Sequence, residues 1–272
     1  MSESQVLEKP QKVGSMLLKG KKGIIVGVAN KWSIAWAVAK ACVREGAEIG
    51  FTYQGERVLK NLDKLLQEEN LQNCFTVNLD VQKDEELKSA GESIKNKFGQ
   101  IDFILHAVAF AKREELGGDF TNTSRDGYQL AQDVSAYSLI ALSKAVKPCM
   151  VEKGGSIVAL SYLGSEKVVK NYNVMGVAKA ALESSARYLA YELGANNIRV
   201  NVVSPGPIKT LSAAGIDDFS KMLDHVKNIA PLKKNTSAEE VADTCVFLFS
   251  DLSRGISSEL IYVDGGYNTV AM

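Results

Sequence analysis

The sequence predicts an α/β fold: one doubly wound domain with a seven-stranded parallel sheet and helices on both faces. Three observations carry this. Seven short apolar runs alternate with stretches of helical periodicity. Several of those runs are apolar without alternation, as strands covered on both faces are. No linker rich in Pro, Gly or Ser and no internal repeat interrupts the 272 residues. Together they predict a single Rossmann-type domain over residues 16–272, behind a flexible polar N-terminal tail over 1–15.

The expected strands occupy residues 23–26, 48–52, 74–77, 101–105, 156–160, 199–203 and 259–263. The clearest helices are expected over 33–45, which is Ala-rich and followed by Gly46, over 84–98, followed by Gly99, and over the longer stretches 124–150 and 172–193.

In such a sheet, ligands bind beyond the carboxyl ends of the strands, so the residues leaving each strand are the candidates. The first strand exits at Gly27, and Ser33 and Ile34 open the next helix. A glycine there permits a tight turn, and the helix N-terminus suits a pyrophosphate. The pattern G-x-G-x-x-G is absent, so an ordinary capped turn is the competing account of Ser33. The second strand leads to Gln54, where a dinucleotide fold meets the adenosine ribose. An uncharged Gln54 favours NADH, and the nearby Arg57 leaves NADPH open. After the third strand, Asp80 and Val81 either meet an adenine or simply cap the next turn. After the fourth, residues 107–111 are small apart from Phe110, which allows a cofactor, or a packed neighbour, to approach closely.

The segment after the fifth strand carries the chemistry. Tyr172 and Lys179 are seven residues apart, which places them on one face of an α-helix. A fixed lysine cation beside a tyrosine is expected to lower its pKa and make it a usable acid. Tyr53 with Lys60 and Tyr137 with Lys144 share the spacing, but only the Tyr172 pair follows an apolar strand at a ligand-binding position.

Composition narrows the rest. Lys and Arg number 32 against 32 for Asp and Glu, so no general affinity for nucleic acid or anionic membranes is implied. Cys42, Cys74, Cys149 and Cys245 form no C-x-x-C pair and read as buried free thiols in a reducing compartment. Two histidines do not make a usual zinc set, so no metal is expected. No apolar run reaches the ~20 residues of a membrane span, and residues 1–15 lack a signal-peptide core, which predicts a cytoplasmic location.

Motifs from residue 18 to the end then carry a resemblance. Residues 27–35 (GVANKWSIA), 51–54 (FTYQ), 161–164 (SYLG), 171–176 (NYNVMG), Lys179, 206–210 (GPIKT) and 263–266 (VDGG) resemble the bacterial enoyl-acyl-carrier-protein reductases, within the short-chain dehydrogenase/reductase superfamily. Most of that superfamily carries Tyr-x-x-x-Lys; this branch carries Tyr-x6-Lys, as here. The resemblance implies an NADH site lined by Gly27, Ser33, Ile34, Gln54, Asp80, Val81, Val108, Lys179, Ile208, Lys209, Thr210, Leu211 and Ser212. It implies active-site tyrosines at Tyr162 and Tyr172, and substrate contact at Ala111. Ala109 departs from a position where the family often has Gly. It further implies a trans-2-enoyl thioester on acyl carrier protein as substrate, a segment over 210–221 that orders on ligand binding, and a homotetramer paired through the long helices. Lys221, Lys227, Lys233 and Lys234 are candidate contacts for the acidic carrier. Two rival readings are a carbonyl reductase using Ser161, for which no Tyr-x-x-x-Lys pair exists in the chain, and a dinucleotide-sensing protein without turnover.

Overall fold

The computed structural model describes residues 16–210 and 219–270. The expected tail, the Leu211 and Ser212 positions, and most of the 210–221 segment lie outside the described residues.

Seven parallel strands form one sheet in the order β3-β2-β1-β4-β5-β6-β7. They are β1 (Lys22–Val26), β2 (Glu48–Tyr53), β3 (Phe75–Asn78), β4 (Phe103–His106), β5 (Gly155–Leu160), β6 (Ile198–Pro205) and β7 (Leu260–Val263). Successive strand residues feed opposite faces, which is why the apolar runs need not alternate. Ile24, Ile104 and Ile157 enter one core layer, whereas Ile25, Leu105 and Val158 enter the other. Helices α1 (Ile34–Arg44), α2 (Gly55–Glu68) and α8 (Ala238–Phe249) supply the second layer, with Trp36, Leu62 and Phe249 among its buried members. Helices α3 (Asp84–Phe98), α5 (Ser138–Val146) and α6 (Asn173–Leu193) supply the first.

The sequence of β1 followed by α1 is closed by Ser33. Its hydroxyl accepts from the Trp36 amide at 3.4 Å and donates to the Asn30 carbonyl at 2.7 Å, so the cap is made in the protein itself. Gly27, at φ 105°, lies so near β4 that a Cβ there would stand 2.3 Å from the Ala107 carbonyl oxygen. No larger residue fits that close approach.

The helix expected over 124–150 is interrupted. It consists of α4 (Arg125–Gln132), a π turn (Asp133–Tyr137), α5, and a 3₁₀ turn (Lys147–Cys149) containing Pro148. Side-chain bonds explain the irregular centre. Ser138 Oγ donates to the Val134 carbonyl at 2.7 Å. Ser135 Oγ accepts from the Phe110 amide at 3.0 Å and donates to its carbonyl at 3.2 Å, which draws the turn onto the loop after β4. His106 ends β4 fully buried, with Nε2 bonded to Ser138 Oγ at 2.8 Å and Nδ1 without a partner. Burial, with Lys179's charge adding to it, holds this imidazole down to a pKa of about 3.

Helix α6 docks on the turn after β5 through two glycines. A Cβ on Gly176 would lie 2.6 Å from the Gly164 carbonyl oxygen, and one on Gly164 would lie 2.5 Å from the Tyr172 ring. The helix starts where Tyr172, at φ −122° and ψ −3°, serves as its N-cap residue. Tyr172 therefore precedes the helix instead of sharing a helical face with Lys179, because the chain turns sharply at Asn171, which has φ 61°. Asn173 Nδ2 donates to the carbonyls of Gly117 (3.2 Å) and Gly118 (3.1 Å), pinning the helix start to the loop below.

Two outcomes follow from this packing. Gly176→Ala gains about 1 kcal/mol of helix propensity but overpacks a backbone contact, so we expect net destabilisation of about 1–2 kcal/mol in denaturant unfolding. His106 is neutral in the folded chain and titrates near its ordinary 6.5 when unfolded. Between these values the unfolded chain binds the extra proton, so stability falls as pH drops from about 6.5 toward 3, by up to about 1.4 kcal/mol per pH unit. A His106→Gln variant should show a pH dependence of unfolding shallower by one proton in that window.

Candidate active site

Because all seven strands run parallel, their carboxyl ends share one edge, and a cleft of about 440 Å³ opens there. Gly27, Ser33 and Ile34 reach it from β1 and α1, and Ala107, Ala109 and Ala111 from beyond β4. Tyr162 reaches it from beyond β5, Tyr172 and Lys179 from α6 and its cap, and Ile208 and Thr210 from beyond β6. Strands β1 and β4 are neighbours at the point where the strand order reverses, the usual place for a nucleotide ligand.

The remaining expected residues stand along the same edge but outside the cleft wall. Gln54 is exposed at the start of α2, with no side-chain cap bond. Asp80 Oδ1 accepts from the Gln82 amide at 3.1 Å, so this carboxylate does hold its own turn. Val81 is 8 % exposed and Val108 half-buried against the core. Lys209 is exposed and is not among the residues lining the cleft.

Lys179 is buried and its Nζ donates to the Leu160 carbonyl at 2.7 Å. Burial disfavours its charge and Glu183 restores part of it, leaving a pKa lowered to about 8. Tyr162 and Tyr172 pack edge to face, with ring centroids 4.9 Å apart. The Tyr162 hydroxyl donates to Met222 Sδ at 3.3 Å, and burial, with Tyr267 nearby, pushes its pKa up to about 12. The Tyr172 hydroxyl is also pushed well above its ordinary value, by burial first and then by Tyr162. This reverses the expectation that Lys179 would lower it: loss of water outweighs any help from the cation. Tyr172 is a protonated hydrogen-bond donor, not an incipient phenolate.

Some participants had no clear signal in the sequence. Met222 comes from α7 (Phe219–Ile229), whereas Phe219, which opens that helix and lines the cleft, lies within the 210–221 segment expected to order on ligand binding. Glu183 accepts the Ser161 hydroxyl proton in a buried contact; its place one turn beyond Lys179 was the available clue. Cys42, Cys149 and Cys245 are buried and Cys74 half-buried, all as free thiols. Among the described residues no helix is long and apolar enough to cross a membrane, and no cluster of metal-ligating side chains occurs.

A dinucleotide fits this edge. Gly27 lines the cleft as bare backbone, and the α1 N-terminus faces the cleft. Comparison with known proteins agrees. A family model described as enoyl-(acyl carrier protein) reductase matches residues 27–268. A Bacillus cereus protein named enoyl-acyl-carrier-protein reductase (NADH) is 51 % identical over 252 residues, covering 93 % of this chain and 98 % of its own. Its Bacillus subtilis namesake is 50 % identical over 254 residues, covering 93 % and 98 %. A crystal structure of the Bacillus cereus reductase with NADP+ and an indole naphthyridinone superposes with a TM-score of 0.92 at 50 % identity, covering 94 % of this chain and 99 % of that one. The chain belongs to the enoyl-acyl-carrier-protein reductase family.

Proposed function

We propose that this protein reduces the trans-2 carbon–carbon double bond of enoyl thioesters carried on acyl carrier protein, with NADH, in the elongation cycle of fatty-acid synthesis. The observation that carries the reading is Tyr172: a protonated hydroxyl on the cleft wall, held at the helix cap more than a turn ahead of Lys179.

NADH, when bound, supplies the hydride that adds to the β-carbon. Negative charge then develops on the thioester oxygen, two carbons from the point of attack, and a preorganised donor there lowers the barrier most. Tyr172 is placed and protonated for that hydrogen bond. Tyr162 packs on its ring and fixes its direction. Lys179, anchored on the Leu160 carbonyl, presents its ammonium to the ribose hydroxyls. Gly27, Ser33 and Ile34 receive the pyrophosphate, Gln54, Asp80 and Val81 the adenosine, and Val108, Ile208, Lys209, Thr210, Leu211 and Ser212 the nicotinamide half. Ala111 meets the acyl chain. An exposed, uncharged Gln54 suits a ribose 2′-hydroxyl, while the exposed Arg57 one turn on leaves room for NADPH as a poorer substitute.

The carbonyl-reductase alternative is disfavoured by Ser161. It is the serine such an enzyme would aim at substrate, but its hydroxyl is buried and given to Glu183.

The same reading includes a homotetramer in the cytoplasm. Its support is exposed apolar side chains on the long helices: Tyr188 and Tyr191 of α6 are 77 % and 90 % exposed, and Tyr137, just before α5, and Ile140, within it, are also exposed. For carrier docking, Lys221, Lys227, Lys233 and Lys234 are the candidates, with Lys234 paired to Glu240.

The deciding assay follows NADH oxidation with a crotonyl thioester and with a β-ketoacyl thioester. Turnover is expected with crotonyl substrate alone, and consumption only of the ketoacyl substrate would overturn the assignment. Tyr172→Phe should lower kcat by about 10²–10³, the loss typical of one transition-state donor, with NADH binding retained. In sedimentation, the parent should run at four times the chain mass, and Tyr188→Lys with Tyr191→Lys should shift it to smaller species.

A further inference from the structure

Two consecutive residues at the exit of β5 are gripped by two residues one turn apart on α6. Leu160 gives its carbonyl to Lys179 Nζ at 2.7 Å, and Ser161 gives its hydroxyl proton to Glu183 Oε1. All three side chains of this clamp are buried: Lys179 is 5 %, Glu183 6 % and Ser161 4 % exposed. The next residue is Tyr162, whose ring packs on Tyr172. A buried carboxylate that accepts only a serine proton would be costly without a nearby cation, and a buried ammonium is equally costly without a nearby anion.

We propose that Glu183 is a positioning residue for the reaction: its carboxylate sets the Ser161 exit that aims Tyr162, and its charge keeps Lys179 an ammonium able to hold the dinucleotide ribose. The groups around the pair leave this role to Glu183. His106 on β4 is neutral and fully buried. Tyr162 beyond β5 and Tyr172 at the α6 cap are protonated. Tyr262 on β7 is also pushed up in pKa, by burial first, with Glu183 among the charges that add to it. Glu183 is the carboxylate that favours the charged lysine against burial.

The inference rests on Lys179 holding the dinucleotide, and the experiment separates the two. NADH binding is followed by its fluorescence, and crotonyl-thioester kinetics are measured in parallel, from about pH 6 to 10. The parent should lose NADH affinity as pH rises through about 8, where Lys179 gives up its proton. Glu183→Gln keeps an acceptor for Ser161 but removes the charge. Its affinity loss should move to lower pH, so that binding above the parental midpoint weakens about tenfold for each unit of displacement while binding at the acid end stays close to the parent. Ser161→Ala keeps the charge, so it should retain the parental pH profile with reduced kcat. A Glu183→Gln profile superimposable on the parent overturns the electrostatic role, and an unchanged kcat in Ser161→Ala overturns the positioning role. Should Glu183→Gln not fold, Glu183→Asp decides: it must keep the parental alkaline limb with lower kcat, and a displaced limb overturns the proposal. Lys179→Met binding NADH as tightly as the parent at every pH would remove the premise itself.

Discussion

The docking of α6 against the exit of β5 is the contact on which the site depends. Gly164 and Gly176 let helix and turn approach to a distance at which neither tolerates a Cβ. That approach brings the start of α6 over the sheet edge, where Tyr172 caps the helix and packs on Tyr162. It also drops Lys179 and Glu183 onto the last residues of the strand. A helix held a few ångströms farther away would lose the cleft's chemistry, because Lys179 and Glu183 act through hydrogen bonds shorter than about 3 Å.

Burial governs the electrostatics more than charge pairing does. The same exclusion of water raises both tyrosines and lowers the lysine. These shifts suit one division of labour. A tyrosine that stays protonated is a hydrogen-bond donor at any physiological pH, and a lysine near 8 remains mostly charged at neutrality, with Glu183 one turn away opposing the effect of burial. His106, a buried imidazole beside the lysine, avoids adding a second positive charge by remaining neutral.

Much of this was legible in the sequence because a parallel sheet writes itself as two-sided apolar runs. Ile24 and Ile25, or Ile104 and Leu105, serve opposite core layers and so appear side by side. Each expected strand is present, with ends shifted by no more than two residues. The residues leaving the strands were equally readable, since topology alone puts Gly27, Tyr162 and Ile208 on one edge. What local pattern could not carry was anything set by a distant partner. The break between α4 and α5 depends on Ser135 meeting Phe110 and Ser138 meeting His106. The cap position of Tyr172 depends on Asn171 and on the loop at Gly117. The sign of the Tyr172 shift depends on how completely the folded chain excludes water.

The wide spacing of tyrosine and lysine acquires a structural meaning from what fills the gap. A tyrosine four residues before Lys179 would occupy position 175, inside the first turn of α6. Met175 stands there, lining the cleft at 6 % exposure with its Sδ 3.6 Å from Ser135 Oγ. A thioether has no proton to give. At the position where a Tyr-x-x-x-Lys enzyme carries its donor, this cleft wall therefore has none. The donor stands instead ahead of the helix, displaced along the cleft. On the proposed reading, an acceptor whose charge develops two carbons from the site of hydride addition meets Tyr172, and one whose charge develops at that site meets Met175. On that reading, selection for a conjugated double bond over a ketone follows from where the helix begins.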